Sequence, residues 1–144
     1  MIQGALLFSA DIRGQMLAQV LSWLPEEACG LLAGKKGRAT LVLPVENAEH
    51  SPVRFRMDPE QQLRAFLEIE ERGLDLVGIY HSHPTGPTGP SVTDLTEAAY
   101  PDVCQVIWSK RGEEWVARAY VLEAGEGREI QLVVESETDR PAGG

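Results

Sequence analysis

Apolar residues between positions 11 and 24 return at three- and four-residue steps: Ile12, Met16, Leu17, Val20, Leu21 and Leu24. That stripe predicts an amphipathic helix packed on a core. Pro25 ends it, because the residue before a proline is driven out of the α region. The period then shortens. Residues 29–33 and 40–43 are brief apolar runs on either side of Lys36-Gly37, which predicts a β-hairpin. A second helix begins where Asp58 can cap it, with Pro59 at the first helical position and Gln61 at capping-box spacing. Leu63, Phe66, Leu67 and Glu70 share one side of that helix, and Gly73 supplies its stop. Residues 76–80 are mostly apolar, as in a strand buried on both faces at the centre of a sheet. A Pro/Gly loop and a short helix follow. Three more strands are expected over 103–109, 115–122 and 130–134, the last two turning through Gly125-Glu126-Gly127. Strands mixed with two or three helices and ending in a meander predict an α/β sandwich with a mixed sheet. Residues 1–135 read as one domain and 136–144 as a flexible tail.

Composition narrows the class. A chain of 144 residues with 43% hydrophobic and 24% charged residues is ordinary globular material, not a disordered segment. Asp and Glu number 22 against 13 Lys and Arg, a net charge of −9, and so broad nucleic-acid binding is disfavoured. The early apolar run over 5–8 falls far short of the ~18 residues that span a bilayer, and no targeting segment is visible. A cytoplasmic protein without membrane attachment is expected. Cys29 and Cys104 form no CxxC pair and are too few for a disulfide scaffold, which leaves two buried thiols in a reducing compartment.

The chemistry is concentrated in Gly78-Ile79-Tyr80-His81-Ser82-His83-Pro84 and Ser91-Val92-Thr93-Asp94. His81 and His83 are two apart at the end of a strand, so both imidazoles face the same way and can clamp one Zn²⁺. The loop over 84–90 can return the chain to that spot, where Asp94 adds a hard oxygen donor. Two histidines and a carboxylate leave one tetrahedral position open, as in a catalytic zinc. A His-x-His in a strand also arises by chance, and Ser91-x-x-Asp94 also serves as a helix cap; for Ser91 the two readings coexist. Hydrolysis further needs a proton shuttle that is not a ligand. Glu26 and Glu27, just before the first strand of the hairpin, are candidates, although such a pair also serves as a solvated helix end.

His81-Ser82-His83, then seven residues, then Ser91-Val92-Thr93-Asp94 resembles the signature of the JAMM (MPN+) metalloproteases. Glu27-Ala28-Cys29-Gly30-Leu31-Leu32 extends the resemblance, since that family has its glutamate three residues before a glycine. The match in motif order runs over roughly residues 26–108. It implies that His81, His83 and Asp94 hold one zinc ion. It also implies that Glu27, rather than Glu26, is the general base, and that Ser91 donates a hydrogen bond to the tetrahedral oxyanion. The implied fold is a curved mixed β-sheet flanked by helices, like that of cytidine deaminases. The deaminases themselves are excluded, because their H-x-E and P-C-x-x-C elements are missing.

Asn47-Ala48-Glu49-His50-Ser51-Pro52 and Arg54-Phe55-Arg56-Met57-Asp58-Pro59 resemble the free-standing bacterial branch of that family. Its members act on sulfur-carrier proteins with ubiquitin-like folds, cutting the bond after a Gly-Gly tail. The resemblance therefore implies a metalloprotease or isopeptidase acting on a ubiquitin-like or sulfur-carrier protein. A non-catalytic scaffold on the same fold and a small-molecule zinc amidohydrolase are the alternatives. His50 reads as a turn residue, and Trp23, Trp108 and Trp115 as core or interface residues. The chain's own terminal Gly143-Gly144 reads as an ordinary tail.

Overall fold

A computed structural model describes residues 4–98, 100 and 102–136. In chain order the elements are β1 (Ala5–Ser9), α1 (Ala10–Trp23), β2 (Cys29–Lys35), β3 (Arg38–Val45), α2 (Pro59–Glu71), β4 (Asp75–His83), α3 (Val92–Glu97), β5 (Cys104–Arg111), β6 (Glu114–Glu123) and β7 (Glu126–Glu135).

Local chemistry explains most of these boundaries. Ser9 caps α1, its hydroxyl accepting from Ile12 N at 3.1 Å, and Leu24 before Pro25 is extended. Ile12, Met16 and Val20 form the buried stripe, whereas Leu21 and Leu24 reach solvent. Lys36 and Gly37 both have positive φ, the turn that matches the twist of a two-residue hairpin. Asp58 caps α2 through Gln61 N. The expected capping box is not closed: the Gln61 carboxamide turns outward and accepts from Glu46 N at 2.8 Å, tying the helix to the end of β3. At its far end Leu74 N donates to Ile69 O and Gly73 N to Glu70 O, with Gly73 at φ +66°. That is a Schellman stop, and the left-handed backbone is why glycine stands there. The expected face of α2 is displaced. Ala65 and Ile69 are buried, and Leu63 and Leu67 are exposed, because the helix packs through a narrower seam than its apolar residues suggest.

The strands lie in the order β1-β3-β2-β4-β5-β6-β7, and the sheet closes on itself. The curvature expected of the mixed sheet thus carries it all the way round. β1 makes the closure, pairing in parallel along β7 from Ala5↔Gln131 to Ser9↔Glu135 and touching β3 at Leu7↔Arg38 and Phe8↔Ala39. It is a strand the sequence pattern conceals: Leu6 and Phe8 point inward, but Leu7 between them is also apolar, and so no clean alternation shows. β4 is central, antiparallel to β2 and parallel to β5. Its alternate side chains enter two different cores. Tyr80 joins the cluster of Phe8, Met16, Val20 and Trp108 beneath α1, and Ile79 joins that of Leu31, Met57 and Ile69 beneath α2. Each such large apolar side chain stabilises the fold by roughly 1.5–3 kcal/mol on burial. The tail expected over 136–144 lies, beyond Ser136, outside the described residues. Among the described residues no helix is long and apolar enough to cross a membrane.

Candidate active site

His81 and His83 end β4 on the face turned towards α2, each side chain 1% exposed, with their Nε2 atoms 3.1 Å apart. The His83 Nδ1–H donates to Pro87 O at 2.8 Å, which fixes the ring and aims Nε2 inward. His81 is held differently. Phe55 stacks on it with ring centroids 4.4 Å apart, and its Nδ1 has no hydrogen-bond partner among the described residues.

The loop after β4 brings Asp94 to the same point. Ser91 caps α3 in a closed capping box: its hydroxyl accepts from Asp94 N at 3.0 Å and its N–H donates to Asp94 Oδ2 at 2.8 Å. The box fixes the carboxylate so that Oδ1 lies 3.2 Å from His81 Nε2 and Oδ2 lies 3.0 Å from His83 Nε2. The two Nε2 atoms, and each imidazole with its own Asp94 oxygen, are separated by 3.0–3.2 Å, near the tetrahedral edge of about 3.3 Å for bonds of ~2.0–2.1 Å about a small divalent cation. The electrostatics agree. Burial opposes the Asp94 charge, but hydrogen bonds from His81 and His83 outweigh it and hold the carboxyl well below its usual range. Burial lowers His81, while Asp94 and Pro87 lift His83 against its own burial.

Glu27 approaches from the coil before β2. It is 2% exposed, and a carboxylate oxygen lies within 4.8 Å of nitrogens of both histidines, the set Glu27, His81 and His83 being able to hold a metal ion. Its Oε1 nevertheless bonds to nothing among the described residues. Burial pushes its pKa up to about 8, the nearby His83 opposing and Asp94 adding to the rise. Glu26 points elsewhere, bonding His50 Nδ1 at 2.9 Å on the surface. His50 itself has positive φ, is half exposed and stacks on Trp23, as a turn residue does. Cys29 lies opposite His81 in the ladder, but its thiol donates to Val45 O, and burial and the Glu27 charge push it up to about 12. Such a thiol is inert at neutral pH.

Three features of the site were not legible beforehand. Asn47 is fully buried, and its amide bonds four backbone groups, a role that needs the fold to be seen. Ser82 sits between the histidines but faces the opposite side of the sheet and accepts from Ala28 N. A cavity of about 290 Å³ opens beside His81 and Asp94, walled by Phe55, Met57, Ile79 and Leu122 with Arg54 and Arg56 at its rim. Its lining comes from six separate segments, which no local pattern could assemble.

A closed mixed sheet carrying buried imidazoles and carboxylates at one mouth is the architecture of a small metal-dependent hydrolase domain. The chain belongs to the prokaryotic homologues of the JAB domain, a family of metal-dependent hydrolases that matches residues 9–123. It is 38% identical over 120 residues to the desampylase of Pyrococcus furiosus, covering 83% of this chain and 84% of that one. It is 39% identical over 108 residues to the CysO-cysteine peptidase of Mycobacterium tuberculosis, covering 74% of each. A solution structure of a protein from Desulfitobacterium hafniense superposes with a TM-score of 0.83 at 30% identity, over 92% of this chain and 94% of that one. The family and the fold expected from the JAMM signature are thereby borne out.

Proposed function

We propose that this chain is a zinc metallopeptidase that hydrolyses a peptide or isopeptide bond at the C-terminal tail of a small ubiquitin-like or sulfur-carrier protein, residues 1–135 forming its catalytic domain. One observation carries the reading: His81 and His83 Nε2 lie 3.1 Å apart, each 3.0–3.2 Å from an oxygen of Asp94, while Glu27 stands beside them with its Oε1 unpaired among the described residues. The names of the desampylase and the CysO-cysteine peptidase support the substrate class.

In this reading His81, His83 and Asp94 are the metal ligands. Bound there, zinc supplies Lewis acidity, polarising the scissile carbonyl and acidifying water. Glu27 takes the proton of the attacking water and returns it to the departing amine, which a carboxylate with a free oxygen and a raised pKa is suited to do. Ser91 donates to the oxyanion. Its oxygen is already engaged by Asp94 N, which orients the hydroxyl and leaves its proton available. A Gly-Gly tail suits the approach, since it carries no side chains to exclude. Two buried free cysteines are consistent with a cytoplasmic setting.

Conjugates of candidate carriers, incubated with the protein and followed by mass spectrometry, test the proposal. Release of the carrier ending in its own Gly-Gly, abolished by a chelator and restored by zinc, is the expected result. Stoichiometric zinc without cleavage of any such conjugate would overturn it.

A further inference from the structure

Regular pairing between β2 and β4 ends at Cys29↔His81. One residue further, Ser82 N still donates to Ala28 O at 3.0 Å, as the next rung requires. The returning bond is different. Ala28 N donates at 2.8 Å to the Ser82 side-chain hydroxyl, which takes the place of a main-chain acceptor. The chain therefore leaves the sheet at Ala28, and Glu27 stands outside the ladder. Its own peptide is then held from the other side: Glu27 N donates to Ser51 O at 2.9 Å, and Glu27 O accepts from Asn47 Nδ2 at 3.1 Å. Asn47 is itself immobilised, donating to Arg54 O and accepting from Glu49 N and Arg56 N. All of its amide capacity is spent on backbone, which is how a buried polar side chain fixes a loop.

We propose that Ser82 and Asn47 are positioning residues for Glu27, the Ser82 hydroxyl holding the chain off the ladder and the Asn47 amide fixing the peptide that carries the carboxylate. The proposal rests on the reading of Glu27 as proton shuttle. It follows from two facts. The buried Glu27 Oε1 has no hydrogen-bond partner among the described residues, so the backbone carries the placing of the carboxylate. Ser82 also faces away from the ligands, so its hydroxyl acts on the base and not on the metal. Displacing a catalytic group by about 1 Å costs on the order of a hundredfold in rate.

The test uses the cobalt-loaded protein and a ubiquitin-like carrier bearing a C-terminal Gly-Gly-aminocoumarin, with rates expressed per bound cobalt. Ser82→Ala should lower kcat by about ten- to a hundredfold, leave KM within about twofold and leave the cobalt absorption spectrum unchanged. Combined with Glu27→Gln it should slow the reaction no further than Glu27→Gln alone, because both act through one group. Asn47→Asp removes the donor to Glu27 O while keeping an acceptor for the loop, and should show the same pattern if Ser82→Ala does not fold. An unchanged kcat in Ser82→Ala, an altered cobalt spectrum, or losses that multiply with Glu27→Gln would each overturn the proposal. Should Glu27→Gln itself retain full turnover, the shuttle reading falls, and the positioning proposal with it.

Discussion

Glu27 is the residue for which function and stability pull apart most strongly, and Glu27→Gln measures both. Its carboxyl is buried, and its pKa is pushed from 4.5 to about 8 in the metal-free protein. The unfolded chain ionises freely above pH 4.5, while the folded chain keeps the proton until about pH 8. A group whose folded pKa is raised in this way costs nothing below the lower value. The cost grows as pH rises between the two values and is complete above the upper one. Each unit corresponds to about 1.4 kcal/mol, so the penalty reaches roughly 3 kcal/mol at pH 7. Glutamine carries no such penalty. It does bury an amide, but that cost is independent of pH, so the slope of the difference decides the matter and not its offset. Urea unfolding of the chelator-treated wild type and of Glu27→Gln at fixed ionic strength, from pH 5 to pH 8, is the assay. The variant should gain on the wild type progressively across that range, while the zinc-loaded variant loses about 10²–10⁴ in kcat. A stability difference that stays flat with pH would refute the placement of Glu27 as a desolvated, unpaired carboxyl.

Two further outcomes follow from the same geometry. Asp94→Asn keeps the shape of the α3 cap but removes the anionic donor, and so metal affinity measured by chelator competition should fall at least about a hundredfold; unchanged affinity would remove Asp94 from the ligand set. Gly30→Ala would place a methyl 2.4 Å from Tyr80 Oη, against a ring that bonds Gln19 on α1, and thermal unfolding should show a loss of about 2–3 kcal/mol; an unperturbed midpoint would mean that Tyr80 yields freely.

That glycine shows what a sequence can and cannot disclose. The spacing Glu27 to Gly30 is visible as a pattern, but its reason, the Tyr80 ring lying across the neighbouring strand, is a tertiary fact. The caps of α2 and α3 were readable because Asp58 and Ser91 act within three residues of their own positions, whereas Ser9, which caps α1 in the same way, was not singled out. The zinc-ligand candidates were readable for a similar reason, two of them being alternate residues of one strand and the third sitting at a fixed place in a capping box. The buried face of α2 was misjudged, because Leu63 and Leu67 are apolar without being buried and nothing local separates the two conditions. β1 was missed because its outward residue is a leucine. Asn47 was legible only as part of a family-like stretch and its role was hidden, since the four backbone groups it satisfies come from residues 27, 49, 54 and 56 and meet only in the folded chain.

A mismatch in strand length explains why these groups meet at one mouth of the barrel. β4 runs on through Ser82 and His83, paired with β5 at Trp108 and Ser109, after regular pairing with β2 has stopped at Cys29↔His81. The two imidazoles thus stand on a strand that is rigid on one side and has lost its neighbour on the other. Into that notch the chain before β2 delivers Glu27, and across it the loop after β4 returns Asp94. Rigidity is graded accordingly. The histidines inherit theirs from the sheet, Asp94 from the capping box of α3, and Glu27 from one main-chain bond to Ser51 together with the side chains of Ser82 and Asn47. Longer pairing between β2 and β4 would set Glu27 directly opposite His83 on the same face, Cβ to Cβ within about 5.5 Å, and close the notch that now lies between them. The break in the sheet therefore belongs to the site as much as the side chains that fill it.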